Sequence, residues 1–301
     1  MPALALAALS RHDAAQGRAQ AAELGCRFHA DWRELVADAG VAGVIAVVPP
    51  ALHRPIADAV AGAGKALLIE KPLATTSADA FAIARRLREA GTPALMAHTL
   101  RWNTVVAAAR ERLGRLGPLR ALAVNQRFEP SPLAWLDRPE LSGGGIVLHT
   151  GVHSFDLVRH LTGRDVVRVR CLTARVVTKR TEDNFMALLE LEGDPALVTV
   201  SGCRATAGRS GLIDAACAEG QLVGDHQQHW LQTVRGLERT PVALPPAAMT
   251  VADALRAFAA LLVDGTPPPV APIDGAHAVA IAEACLRSGA GGGDAVDVAR
   301  P

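Results

Sequence analysis

Val44-Ile45-Ala46-Val47-Val48-Pro49-Pro50-Ala51-Leu52-His53 decides how the first third of this chain is read. Val44 to Val48 is a short apolar run rich in β-branched residues, which suits a buried strand. Pro49 and Pro50 end it, because proline lacks the N–H that a strand ladder needs. Helix-forming residues follow from Ile56 to Ala63, and Lys65 to Ile69 is apolar again. A strand, a helix and a strand at this spacing make a parallel crossover unit, with helices covering the sheet faces.

The same alternation extends outward in both directions. Upstream, Ala3 to Leu9 is a strand candidate, Asp13 to Leu24 a helix closed by Gly25, and Asp31 to Ala39 a helix capped by Asp31. Downstream, Ser77 to Glu89 is a helix with Ser77 as its cap, and Pro93 to Ala97 is a fourth strand. Beyond Trp102 the pattern changes. Helices are predicted over Thr104 to Leu116 and from Gly143–Gly145 through Leu161. Strands are predicted over Leu119 to Phe128, Val166 to Val177, Asn184 to Glu192, Ala196 to Arg204 and Gly211 to Ala216. Strands that follow one another without helical crossovers form a mostly antiparallel sheet. Helices over Val251 to Val263 and Gly275 to Ser288 close the chain. The expected class is α/β: a Rossmann-like parallel sheet in residues 1–102, then residues 103–301 with an open, mainly antiparallel sheet. The closing helices are expected against the first part.

Composition narrows the function. Half of the 301 residues are hydrophobic, enough for a real core, and the formal net charge is +1. No basic run marks a nucleic-acid partner, and 3% aromatic residues offer no stacking platform. Five scattered cysteines without a CxxC pair read as reduced core residues. Pro2 to Leu9 is apolar but short and has no basic stretch before it, and no long charge-free apolar run occurs. A cytoplasmic protein without a membrane span is expected.

Several motifs, taken in order, carry a family resemblance. They are the Val44–His53 stretch, Gly64-Lys65, Glu70-Lys71-Pro72-Leu73-Ala74, Arg101-Trp102-Asn103, Gly143-Gly144-Gly145 through Gly151-Val152-His153 with Asp156, Glu182-Asp183, and Pro267 to Asp297. This set resembles the glucose–fructose oxidoreductase, inositol dehydrogenase and MocA-like (Gfo/Idh/MocA) family of nicotinamide-dependent oxidoreductases. The resemblance implies a dinucleotide-binding domain followed by a substrate domain, with the substrate lying between them. It also implies a homo-oligomer through the open sheet face. This chain departs from the pattern twice. The family begins with a strand and a glycine-rich turn that cradles the pyrophosphate. Here the first recognisable element resembles the family's second strand, so a central strand is absent and an apolar hole is expected. The start is expected to lie upstream by roughly 20 to 30 residues, the length of a strand–turn–helix unit. Secondly, His149 stands where the family has Asp, four residues before His153.

The resemblance makes Lys71 and His153 the catalytic candidates. Oxidising a carbinol needs a group that takes the hydroxyl proton, and reduction needs one that supplies it. Lys71 would bind the reacting oxygen, and His153 would relay the proton. His149, Asp156, Arg101 and Trp102 are candidate substrate contacts. Asp156 is read either as a hydroxyl ligand or as the group orienting His153, and Trp102 equally as core. Cofactor contacts are expected from Ser10, Arg11, Pro49, His53, Glu70 and Lys71. Ser10 and Arg11 stand where NAD enzymes commonly present an acid. A hydroxyl and a guanidinium suit a 2′-phosphate, so NADP is favoured over NAD. His149, His153 and Asp156 also have a metal-compatible spacing, as His226-x-x-His229 does more thinly. No metal is expected, because the resembled family uses none. The expected activity is hydride transfer with a sugar, polyol or related carbonyl compound. The alternative is a non-catalytic dinucleotide sensor or scaffold on the same fold.

Overall fold

A computed structural model describes residues 4–301; Met1, Pro2 and the Ala3 end of the first predicted strand lie outside the described residues. β1 (Ala8–Ser10) leads to α1 (Ala14–Leu24), and β2 (Arg27–His29) leads to α2 (Trp32–Ala37). Asp13 caps α1 by accepting the Ala15 and Gln16 N–H groups, and Gly25 ends it at φ 66°. Asp31 caps α2 through Arg33 N–H. β2 is absent from the sequence reading. It has three residues, two of them polar or charged, and it pairs only with β1, so no apolar run announces it.

β3 (Gly43–Ala46), α3 (His53–Gly62), β4 (Ala66–Ile69), α4 (Ser77–Glu89) and β5 (Ala94–Met96) form the crossover units predicted around Val44. Their three strands pair in parallel in the order β3-β4-β5. The cap of α4 is Thr76, not Ser77: Thr76 Oγ1 accepts the Asp79 N–H at 3.2 Å, while Ser77 is already helical. Among the described residues no strand joins β1 to β3, so the parallel sheet is divided into two. The apolar residues at the division remain open, with Leu6 54%, Ile45 45% and Val47 70% exposed. By contrast, every residue of β4, which has a strand on each side, is buried.

α5 (Thr104–Leu113) and β6 (Leu119–Arg127) open the second half. A short α6 (Pro139–Ser142) ends at Gly143, a π turn covers Val147–Gly151, and α7 spans Val152–Thr162. β7 (Val166–Ala174), β8 (Asn184–Leu191), β9 (Asp194–Cys203), β10 (Ser210–Cys217), β11 (Gly220–Asp225), β12 (Trp230–Arg235) and β13 (Glu238–Pro241) follow. With β14 (Val296–Asp297) they make a nine-stranded sheet in the order β13-β12-β11-β10-β6-β9-β8-β7-β14. Its one parallel pair is β6 with β9, because the chain crosses over through α7 between the two ends of that path. Burial alternates along β8 and β9, so one face supports the helices and the other stays open.

α8 (Thr250–Asp264) and α9 (Pro272–Ala290) return to the first half. Phe258 and Leu261 of α8 share a core with Leu68 and Leu95 of the parallel sheet. α9, buried along most of its length, packs against α4, α7 and β7. Trp102 packs between both apolar cores, at the junction of the two halves.

Candidate active site

The site forms where the loop after β4 meets the π turn that starts the α7 segment. Lys71 Nζ donates to the His149 carbonyl oxygen at 2.9 Å. Burial lowers the ammonium to about 8, the Glu70 carboxylate opposes that shift, and the Arg204 charge adds to it. Lys71 is therefore mostly a cation at neutral pH, yet close enough to titration to exchange a proton. His53 braces this loop. Its ring is wholly buried and its Nδ1 donates to the Leu73 carbonyl at 3.1 Å. The ring is enclosed, and its bond to the Leu73 carbonyl supports the Lys71 loop.

The glycine turn before α7 is held by Glu182. Its carboxylate accepts the N–H groups of Gly145 at 2.9 Å and Val147 at 3.0 Å, and its carbonyl accepts that of Ile146 at 2.9 Å. Gly145 is required here, because a Cβ would lie 1.9 Å from the Glu182 carbonyl oxygen. Asp183 accepts the backbone N–H groups of Val176, Val177 and Thr178. The acidic pair is thus backbone scaffolding around the site.

His149 is buried, its Nε2 donates to the Ser142 carbonyl at 3.0 Å, and the Trp135 ring meets it edge-on at 5.4 Å. Burial, then the Lys71 charge, lower it to about 3, so it is neutral. A neutral His149 packed in this way avoids placing a second cation beside Lys71. His153 is also neutral, held far below the ordinary imidazole range by burial and the Lys71 charge. Its Nδ1 is buried without a hydrogen-bond partner among the described residues. Both ring nitrogens of His98 and of His226 share that condition, and the His98 and His153 rings meet edge-to-face at 5.9 Å. His226 fits because Gly211 has no side chain: a Cβ there would lie 2.2 Å from His226 Nε2. His229 diverges from it, bonding the exposed Pro245 carbonyl at 3.1 Å.

Arg101 and Asp156 engage each other. Arg101 Nε and Nη2 donate to the two Asp156 oxygens at 2.9 and 2.6 Å. Arg101 also meets Asp274 of α9 at 3.1 Å, and Asp274 in turn meets Arg159 of α7 at 3.4 Å. This network joins the turn after β5 to α7 and α9. Asp156 is 1% exposed, and both its oxygens are engaged by Arg101, so the two candidate substrate residues are bonded to each other. Trp102 is likewise occupied as core, and His149 by Ser142 and Trp135. Among the described residues no group of three His, Cys, Asp or Glu side chains is arranged to hold a metal.

The sequence does not point to His98 or Arg204, and it leaves His226 open between a polar loop and a substrate-lining segment. His98 had one usable signal, its place just after a parallel strand, where ligands bind in such sheets. Arg204 ends a strand, and nothing local distinguishes it from a solvated arginine.

The residues expected to contact a nicotinamide dinucleotide lie at two ends of the parallel region. Arg11, beyond β1, reaches only glutamine oxygens, Gln16 Oε1 at 2.6 Å and Gln20 Oε1 at 3.1 Å. Asp13 is engaged as the α1 cap. Pro49, Glu70 and Lys71 lie at the carboxyl ends of β3 and β4. Between the ends, no strand–glycine-turn–helix cradle occurs among the described residues, and Pro49 and Pro50 have no N–H to offer an anion.

Comparison with known proteins agrees with this architecture. Residues 1–98 match the model of the "oxidoreductase family, NAD-binding Rossmann fold", and residues 106–232 that of the "GFO/IDH/MocA C-terminal domain". Inositol 2-dehydrogenase 2 of Saccharopolyspora erythraea is 29% identical over 94% of this chain and 86% of its own. Inositol 2-dehydrogenase of Rhizobium meliloti is 24% identical over 91% of this chain and 86% of its own. The crystal structure of an oxidoreductase domain protein from Kribbella flavida superposes with a TM-score of 0.87 at 23% identity, covering 98% of this chain and 90% of that one. No helix among the described residues is long and apolar enough to cross a membrane. With both domain models matched in order and the fold shared along nearly the whole chain, the protein belongs to the Gfo/Idh/MocA family and is an NAD(P)-dependent oxidoreductase acting on CH–OH groups.

Proposed function

We propose that the substrate is a polyhydroxylated compound, a sugar or polyol, bound between residues 1–102 and 103–301. The observation that carries this is the set of buried, unpartnered ring nitrogens of His98, His153 and His226 beside Lys71. A neutral imidazole presents one donor and one acceptor, which matches hydroxyl groups. Buried polar atoms are ordinarily satisfied, so these five nitrogens call for a ligand rich in hydroxyls, or for water in its place. Relatives named inositol 2-dehydrogenases agree with that class.

When bound, the nicotinamide accepts or returns a hydride. Lys71 Nζ gives a proton to the reacting oxygen in reduction and takes it back in oxidation, and the resulting ammonium stabilises the developing alkoxide. His153, neutral and with Nδ1 unpartnered among the described residues, relays that proton onward. Turnover on a panel of inositols, aldoses and alditols tests this reading. Oxidation of at least one polyol with cofactor reduction is expected. A folded protein that binds the dinucleotide and oxidises none of the panel would instead support the sensor reading.

We further propose a preference for NADP(H). Ser10 and Arg11 support it, with Asp13 withdrawn into its cap and no carboxylate bonded to Arg11. Ser10→Asp should move the ratio of NADPH to NADH dissociation constants about tenfold toward NADH, by repulsion of the 2′-phosphate. Fluorescence titration reads it, and an unchanged ratio rejects the assignment.

A further inference from the structure

Arg204, beside the site, has no carboxylate partner among the described residues. It follows β9, and its backbone N–H donates to the Asp183 carbonyl at 2.8 Å. Its Nη2 donates to Thr150 Oγ1 at 2.8 Å, its Nε is buried without a partner, and its Cζ lies 5.8 Å from the Phe128 ring centre. Arg209, which shares that ring at 5.5 Å, is paired with Glu129 at 2.8 Å. Among the described residues, no carboxylate offsets Arg204 in this way. Its Nε is buried without an acceptor, a cost that an anion accepting from it would remove.

Arg204 lines a cavity of about 420 Å³ together with His149, Trp135's neighbours Ala134 and Leu136, and the acids Asp137, Glu182 and Asp183. Those acids are not free. Asp137 accepts the backbone N–H groups of Lys179, Arg180 and Thr181 at 3.1, 2.9 and 2.8 Å, and Glu182 and Asp183 serve other backbone amides as described above. The unengaged polar charge in the wall is therefore positive. The cavity also adjoins the reacting end. Lys71 is anchored on the carbonyl of His149 and Arg204 on the hydroxyl of Thr150, consecutive residues of one π turn. The two cations are thus tethered to neighbouring residues of the same turn.

We propose that Arg204 binds a carboxylate of the substrate, so that the enzyme acts on a carboxylated polyol, such as a uronate or another sugar acid, in preference to the neutral sugar. The proposal rests on the polyol reading above and narrows it. A planar guanidinium matches a planar carboxylate through paired N–H···O bonds.

The test compares kcat/KM for matched pairs, glucuronate with glucose and galacturonate with galactose, with glucose 6-phosphate as a third arm. The wild-type protein should favour the acids by about tenfold to a hundredfold, carried mainly by KM, as expected for a charge-assisted bond. Arg204→Met should bring the acid-to-neutral ratio close to one, and Arg204→Lys should leave it between the two. Equal use of acid and neutral sugar, an unchanged ratio in Arg204→Met, or preference for the phosphate ester overturns the proposal. Calorimetric titration with glucuronate separates this proposal from its parent. Binding that is lost in Arg204→Met, without turnover of any sugar, supports the carboxylate site while removing the polyol reading. Absence of both binding and acid turnover overturns the site. If Arg204→Met does not fold, Arg204→Lys and Arg204→Gln carry the same comparison.

Discussion

Lys71→Met lowers kcat by about a thousandfold, the combined size of losing a proton donor and a fixed positive charge at the reacting oxygen. The Lys71 ammonium is held against the His149 carbonyl, largely withdrawn from solvent. Its pH dependence has a definite sign. With the group lowered to about 8, it is protonated below that value and neutral above it. Carbonyl reduction, which requires the proton, should fall with unit slope as pH rises through about 8. Alcohol oxidation, which requires the vacant amine, should rise through the same midpoint. Lys71→Arg removes this midpoint, because a guanidinium does not titrate in that range. Steady-state kcat/KM in both directions on either side of the midpoint checks the sign. A flat profile in the wild-type enzyme would move the proton-transfer role away from Lys71.

The parallel crossover units were legible because their signals are local. Val44 to Val48 is an apolar run stopped by prolines, and Asp13, Asp31 and Gly25 mark helix ends through hydrogen bonds to their own neighbours. The antiparallel succession was legible in the same way, from the alternation that leaves Met186 and Leu197 on the open face. Elements defined by long-range pairing were not. β2 exists because β1 lies beside it, β12 is short and partly exposed, and β13, exposed throughout, is held only by pairing with β12. The site shows the same division. Lys71 and His153 are carried by motifs, so they can be found in a single sequence. Whether Asp156 faces substrate or arginine depends on Arg101, fifty-five positions earlier. Arg204 depends on the absence of a carboxylate across a fold that local sequence does not describe.

That dependence makes Asp156→Ala the sharper test of how the site is built. The carboxylate is 1% exposed and doubly bonded to Arg101, which is itself 13% exposed. Removing it leaves the guanidinium with Asp274 as its one carboxylate partner and the Pro269 carbonyl, and breaking a buried pair in this way costs about 3–5 kcal/mol. Urea unfolding should show that loss as a lower midpoint at unchanged slope. The double variant Arg101→Met, Asp156→Leu should recover most of it, since an apolar replacement of both partners leaves no charge unpaired. A substrate ligand would behave differently. If Asp156 chiefly bound a substrate hydroxyl, its loss would raise KM and leave the unfolding midpoint near that of the wild type. In the network of Arg101, Asp156, Asp274 and Arg159, Asp156 holds α7, and therefore His153, against the turn after β5. Disturbing it should then lower kcat more than it raises KM, because the proton-transfer group shifts while the sugar keeps its other contacts. A stable Asp156→Ala protein with only its KM changed would return Asp156 to the substrate and leave α7 positioned by its apolar face alone.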